Sequence, residues 1–513
     1  MSKTRSWKSA ATFALVATLA AALSAATLAA CDAGQTPTPG PAANGRTDVV
    51  IALQLEPANL DFTNTAGVAI PQLLLNNVYE TLVKVDQDGS IIPLLATSWE
   101  VSADRTQYTF HLREGVTFSD GRPFSAGDVV ASFDRTRTEW NNAIARQMDV
   151  IETTERVDEH TVLVTLARPS NQWLFTIATA AGAIFPADLD FDLMTEAIGT
   201  GPFRVTERRQ GDRIILEGRE DHWAGPAAFE QVTVRYIPDP TAAVNALRAG
   251  DVDMLFNAAS GDQVAQLMGS DEFQVIEGTS TGEVLLSFNN RNAPFDDVRV
   301  RRAFAHAIDR DAVIETTSGG FGEVVGTMVP PTDPYFEDLS DLFPFDPDLA
   351  RELLADAGYG PDDLHIYFDV PARAYATSAA ELIVSQLADV GVRTTIRTID
   401  FTVWVEQVFR GHDFQMSIVL HVEARDLLQT INATSYIGFD DDEIVAAAEA
   451  ADAALYDEWI VGMQAVARRI AEEVPAIVLY LAPTLIVANP ALTGFRPNGV
   501  TESMDLTDLA WAN

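Results

Sequence analysis

With one cysteine in 513 residues, Cys31, the chain cannot form an internal disulfide, so its fold rests on packed apolar side chains. The same scarcity excludes a metal site built from several thiolates. Basic residues are few as well: 34 Lys and Arg stand against 74 Asp and Glu, for a formal net charge of −40. A surface of that sign repels nucleic acid and anionic lipid headgroups, which removes nucleic-acid partners from consideration. There are seven histidines, and none falls in the H-E-x-x-H spacing of a helical zinc site. After the first thirty residues no stretch is long and apolar enough to cross a bilayer.

The N-terminus is different in kind. Lys3, Arg5 and Lys8 precede an apolar run from Ala10 to Ala30, the pattern of an export segment. The run closes on Leu28-Ala29-Ala30-Cys31, which resembles the bacterial lipoprotein box at every position. That resemblance implies cleavage after residue 30, a lipid on the Cys31 thiol, and a protein held at the outer face of a membrane through its first residue. An uncleaved transmembrane anchor is the alternative, since the run is about long enough to span a bilayer. The segment 31–45 carries three prolines and no apolar face. It reads as a tether reaching about 20 Å as a coil and about 45 Å as polyproline II.

Of all residues 47% are hydrophobic, and the length suffices for two or three domains with sizeable cores. Short apolar strands alternate with amphipathic helices, an α/β pattern. Val49 to Leu53 reads as a buried strand. Ser125-Ala126-Gly127-Asp128 is a capping box, Pro240 opens a helix that Gly250 closes, and Asp297 and Asp346-Pro347 start two more. Ile383, Leu387 and Val390 mark another ended by Gly391, and Ile444 to Ala471 reads as two helices.

Six segments follow one another in order: Asn77–Val83, Ile92–Glu100, Tyr108–Phe124, Gly199–Phe203, Asn245–Asp253 and Val300–Arg310. Together they resemble the family 5 extracellular solute-binding proteins, the oligopeptide, dipeptide and nickel receptors of ABC importers. The resemblance implies a hinged, two-lobed fold of the periplasmic-binding-protein type II class, the large form with an extra subdomain. It also implies a monomer that needs no cofactor and delivers a small solute to an ABC permease. On this chain the first lobe is expected at 46–77, 196–277 and 479–513, the inserted subdomain at 78–195, and the second lobe at 278–478. The strands Glu283–Phe288 and Ala476–Tyr480 would mark the two crossings of a hinge.

Enzyme motifs fail on context. Gly278-Thr279-Ser280-Thr281-Gly282 fits G-x-S-x-G, yet a strand follows it where a nucleophile elbow needs a helix. Asp86-Gln87-Asp88-Gly89 places glycine two positions too early for a calcium loop. His421-Val422-Glu423 matches a deaminase fragment without its cysteines, and Ser318–Gly322 has no lysine for a phosphate loop. A secreted hydrolase stays as the reading from another functional class.

The candidate site lies where the strand Phe414–Leu420 runs into His421-Val422-Glu423-Ala424-Arg425-Asp426. Ligands of α/β folds gather at such strand ends. In the peptide-binding relatives a strand here pairs with the ligand backbone, which singles out Val419, and an acid just beyond it holds the ligand ammonium. Glu423 falls on that acid and Asp426 on a second acid. Leu420 stands in place of an aromatic, Glu423 in place of aspartate and Leu427 in place of proline. His421 is either a contact or a pH-sensitive bystander. A solvated loop with Arg425 paired to a neighbouring acid is the competing reading. Arg373 resembles the arginine that grips a peptide carboxylate, a task suited to its planar fork, and a solvated surface arginine is the alternative. The loop Val68-Ala69-Ile70 is expected to offer backbone groups from the first lobe. Peptide is the leading ligand class, with an oligosaccharide, a nickel chelate or a haem-like ligand as alternatives.

Overall fold

The computed structural model describes residues 45–64, 67–140, 143–257, 261–268 and 271–512. The export segment, Cys31 and the tether lie outside them. No helix among the described residues is long and apolar enough to cross a membrane.

Asp48–Leu53 is the centre of a seven-stranded mixed sheet. It runs parallel to both neighbours, Gln231–Tyr236 and Met254–Phe256, and such a strand is covered on both faces. That is why Val49 to Leu53 reads as an unbroken apolar run. Arg213–Gly218 and Phe203–Arg209 extend the sheet on one side, and Thr484–Ala488 with Gln274–Gly278 on the other. This sheet is the first lobe.

A five-stranded sheet forms the second lobe, in the order Arg393–Ile399, His365–Pro371, Met416–His421, Glu283–Phe288, Ala476–Leu481. Glu283–Phe288 is buried along its whole length. Alternate residues enter separate cores: Leu285, Val419 and Val478 on one face, Val284, Leu286 and Ile418 on the other. A third, antiparallel sheet of Ala96–Val101, Gln107–Leu112, Thr161–Leu166 and Ile151–Arg156 has its own core and is covered by the helix Ala126–Thr138. That helix starts with the reciprocal Ser125–Asp128 capping box.

The chain passes between lobes twice, at Gly278–Glu283 and at Leu481–Thr484. The last strand of the second lobe ends at Leu481, so the boundary expected at 479 falls inside a strand. The two crossings are tied together: Ala482 N donates to Gly282 O at 2.7 Å, and the Ser280 hydroxyl donates to the Ala482 carbonyl. Gly278 allows the closest approach, since a Cβ there would sit 2.1 Å from the Pro497 carbonyl oxygen. Ile444 to Ala471 divides into Asp442–Ala453 and Tyr456–Glu473.

The C-terminal segment returns to the first lobe through Asn77, which is fully buried. Its amide donates to Leu73 O at 2.9 Å and Met504 O at 2.7 Å and accepts from Leu506 N at 3.0 Å. Asn77→Ala strands three buried backbone groups, each costing roughly 1–3 kcal/mol. The variant is expected to lose about 2–4 kcal/mol of stability in urea unfolding.

Candidate functional site

Two adjoining cavities occupy the gap between the lobes. The first, about 370 Å³, opens at the C-terminal ends of the parallel strands of the first lobe, at Leu53–Leu55 and Phe256–Asn257. Val284, Tyr375, Leu420 and Tyr480 close it from the second lobe. The second, about 560 Å³, lies between the inserted subdomain and the loop 423–425. Val68 and Glu502 line both, so the two volumes meet there.

The loop after Met416–His421 owes its shape to Arg425. Its backbone is left-handed, with φ +56°. Its guanidinium donates to Asp333 Oδ1 at 3.0 Å and Gln172 Oε1 at 3.0 Å and lies 3.8 Å from the Phe175 ring centroid. Arg425 therefore pairs across to Asp333 and the subdomain, and neither adjacent acid receives it. Burial raises the Asp333 carboxyl above its usual range even with Arg425 beside it.

Glu423 is exposed, lines the second cavity and accepts only a 3.2 Å contact from Val422 N. Among the described residues no cation pairs with it. Asp426 lies elsewhere: it is 4% exposed, lines neither cavity, accepts from Thr430 Oγ1 at 2.9 Å and lies 3.3 Å from His421 Nδ1. His421 Nε2 lies 2.9 Å from the Tyr436 hydroxyl, which is 2.8 Å from Ser287 Oγ. His421 and Asp426 thus belong to an internal polar chain. His421, Glu423 and Asp426 bring possible metal-ligating atoms within 4.8 Å of one another, but both His421 ring nitrogens are already hydrogen-bonded.

Three of the expected residues turn their side chains away from the cavities. Val419 points into the core on the far face of the sheet, and Leu420 lines the cavity in its place. Arg373 is exposed, sits just before the helix Ala374–Asp389 with its guanidinium 5.3 Å from the Phe401 ring, and lines neither cavity. Tyr375, two residues on, faces the cleft and accepts from Leu420 N at 3.0 Å. Ala69 is the half-buried first residue of the helix Ala69–Leu74, and its neighbour Val68 lines the cavities instead. Ser280 accepts from Gly282 N at 2.9 Å as part of the hinge, which removes the elbow reading. Sequence reasoning missed Glu502, whose side chain lines both cavities from an irregular segment that carries no motif.

Residues 90–425 match the model of the bacterial extracellular solute-binding proteins, family 5 (Middle). The chain belongs to this family. Its members are the substrate-binding receptors of ABC importers, which are not enzymes and work outside the cytoplasm. Heme-binding protein A of Haemophilus influenzae is 29% identical over 367 residues, 65% of this chain and 67% of that protein. Di/tripeptide-binding protein 2 of Pseudomonas aeruginosa is 31% identical over 359 residues, 64% of this chain and 67% of that protein. In fold, the substrate-binding protein CtaP of Listeria monocytogenes superposes with a TM-score of 0.82 at 20% identity, over 91% of this chain and 100% of that one.

Glu283 pairs with His421 across the strand ladder and is 2% exposed, and burial followed by the Asp426 charge raises its carboxyl well above the normal range. Asp333 and Glu423 push the same way. A carboxyl raised in the folded state contributes most below its unfolded value and loses that contribution as pH climbs through the folded value. Glu283→Gln in this family 5 receptor should therefore melt higher than wild type above neutrality. The two curves should converge toward about pH 4 in a melting series, near the unfolded carboxyl value.

Proposed function

We propose that this receptor captures peptides with a free N-terminus between its lobes and presents them to an ABC permease, tethered to the membrane by a lipid on Cys31. One observation carries the reading: Glu423 is a carboxylate on the cleft wall with no cation of its own, because Arg425 is committed to Asp333. An ammonium is the natural partner, joined by charge-assisted hydrogen bonds. The strand Met416–His421 supports the arrangement. His365–Pro371 pairs with it only at Phe368–Met416 and Asp369–Ser417, leaving the cleft end of that edge without a strand neighbour. An extended ligand can pair with such an edge. The similarity to a di/tripeptide-binding protein points the same way.

Calorimetry with free and N-acetylated tripeptides tests the reading. A hydrogen bond to a charged group contributes roughly 1.5–3 kcal/mol, about ten- to a hundredfold in affinity. Acetylation should cost wild type on that order and cost Glu423→Gln far less. Asp426→Asn, which disturbs the His421 chain, should lower stability and leave the acetylation penalty in place. If acetylation costs wild type nothing, a sugar, metal chelate or haem-like ligand becomes the better reading.

Anchoring has its own test. Cys31→Ala is expected to release the protein into the medium or leave it as unprocessed precursor in fractionation of the producing cells. Unchanged membrane attachment of a correctly cleaved chain would refute the lipid.

A further inference from the structure

Glu502 belongs to the C-terminal segment that folds back over the first lobe, and its backbone surroundings are firmly held. Ser503 Oγ donates to Leu75 O at 2.6 Å, Met504 N to Gln72 O at 2.8 Å, and Gly499 N to Thr279 O at 2.9 Å. Arg496, at 3.0 Å, and Lys84 clasp Asp505 just beyond. Glu502 lines both cavities, and its Oε2 is buried with no hydrogen-bond partner.

Two of the three arginines that line the second cavity are paired with carboxylates. Arg425 pairs with Asp333, and Arg168, on the subdomain wall, pairs with Asp452 at 2.8 Å. Arg146 is exposed on that same wall. Glu423 of the opposite lobe lines the second cavity together with Glu502. Burial raises the Glu502 carboxyl, its own backbone N–H offsets part of the rise, and the Glu423 charge adds a smaller push upward. A buried carboxylate oxygen without a donor is costly, and two carboxylates that line one cavity from opposite lobes oppose its closure.

We infer that Glu502 is the second partner of the ligand's cationic group: with Glu423 it forms a clamp of two carboxylates, one from each lobe, that closes on a primary ammonium. The inference rests on the reading of Glu423 as an ammonium partner. The chemistry matches in number and sign. A primary ammonium offers three N–H donors, enough for one bond to each lobe with one to spare. The cation turns the repulsion between the lobes into two attractions, so binding and closure are coupled through one ligand group. An N-acetylated peptide lacks the charge and keeps only one of the three N–H donors.

The probe is an equimolar mixture of two randomised tripeptide libraries, one with free N-termini and one acetylated, offered to full-length wild type, Glu423→Gln, Glu502→Gln and the double variant. Native mass spectrometry reads the bound ratio, and a melting curve of each ligand-free protein monitors the fold. Wild type should favour free over acetylated peptide at least tenfold. Each single variant should lose most of that preference, and the double variant should lose little more than either, because both residues act on one group. Glu502→Gln without ligand should melt no lower than wild type, since the uncharged amide keeps the shape and removes the cost of burying a carboxylate.

If Glu502→Gln keeps the full preference while Glu423→Gln loses it, the clamp is refuted and the peptide reading stands. If Glu502→Gln melts well below wild type, the residue is a structural support and the clamp is likewise refuted. If wild type takes up both libraries equally or neither, the peptide reading itself fails and the clamp falls with it.

Discussion

The Arg425 guanidinium is the contact on which the cleft depends. It rises from a left-handed turn of the second lobe, meets Asp333 in the same lobe, and reaches Gln172 and Phe175 in the inserted subdomain. Arginine suits the position because its flat fork can hold a carboxylate and an amide at its edge while stacking an aromatic ring on its face. A second seam reinforces it. Asp452 accepts from the backbone N–H groups of Asn171 and Gln172 at 2.9 and 3.0 Å, and Arg105 donates to the carbonyls of Ala453 and Ala454. These contacts hold the subdomain against the second lobe. Because Arg425 is used in this way, the acids beside it are free for other work.

The acids near the strand end divide by burial. Glu283, Asp333 and Asp426 are inside, where burial or a local partner sets their charge. Glu423 and Glu502 face the cavities. An isolated buried carboxylate is expensive unless it is protonated or paired. Glu283 avoids the expense by staying protonated further up the pH scale, and Asp426 by bonding to Thr430 and His421. His421 is thereby tied into the interior although its sequence position suggested the cleft.

What could be read from the sequence follows the range of the physics. Asp297, Asp346 and the Ser125–Asp128 box act within a turn of chain and start helices where they were expected, as does Pro240 behind its Asp239 cap. The Gly199-Thr200-Gly201 motif has a longer-range basis, since a Cβ on Gly201 would sit 2.6 Å from the carbonyl oxygen of Asn77, far away in sequence. Side-chain direction in the strand at the site was not legible. Met416 to Val419 is buried without alternation, so nothing in the pattern separates Val419 from Leu420. Arg373 failed for a related reason, because a helix begins one residue later and turns Tyr375 to the cleft. Glu502 was beyond reach: a residue near the end of the chain meets the cleft only after the segment around it returns to Asn77 and Gln72.

The two cavities offer different chemistry to one ligand. The first is walled largely by Leu53, Leu55, Val284, Leu420 and the rings of Tyr375 and Tyr480, and its roughly 370 Å³ lies at the small end of the range for ligand pockets. Apolar burial there contributes about 25 cal/mol per Å² and is insensitive to orientation. If Glu423 and Glu502 hold an ammonium as proposed, they would contribute less area but fix direction, since an ammonium would satisfy them in only one placement. A ligand anchored at the junction would send its first side chain toward the apolar walls and its backbone along the open edge of Met416–His421. Affinity would then come mainly from apolar contact that many side chains can make, and orientation from one charged group that all such ligands share. That division lets a receptor accept many sequences and still hold each in the same direction.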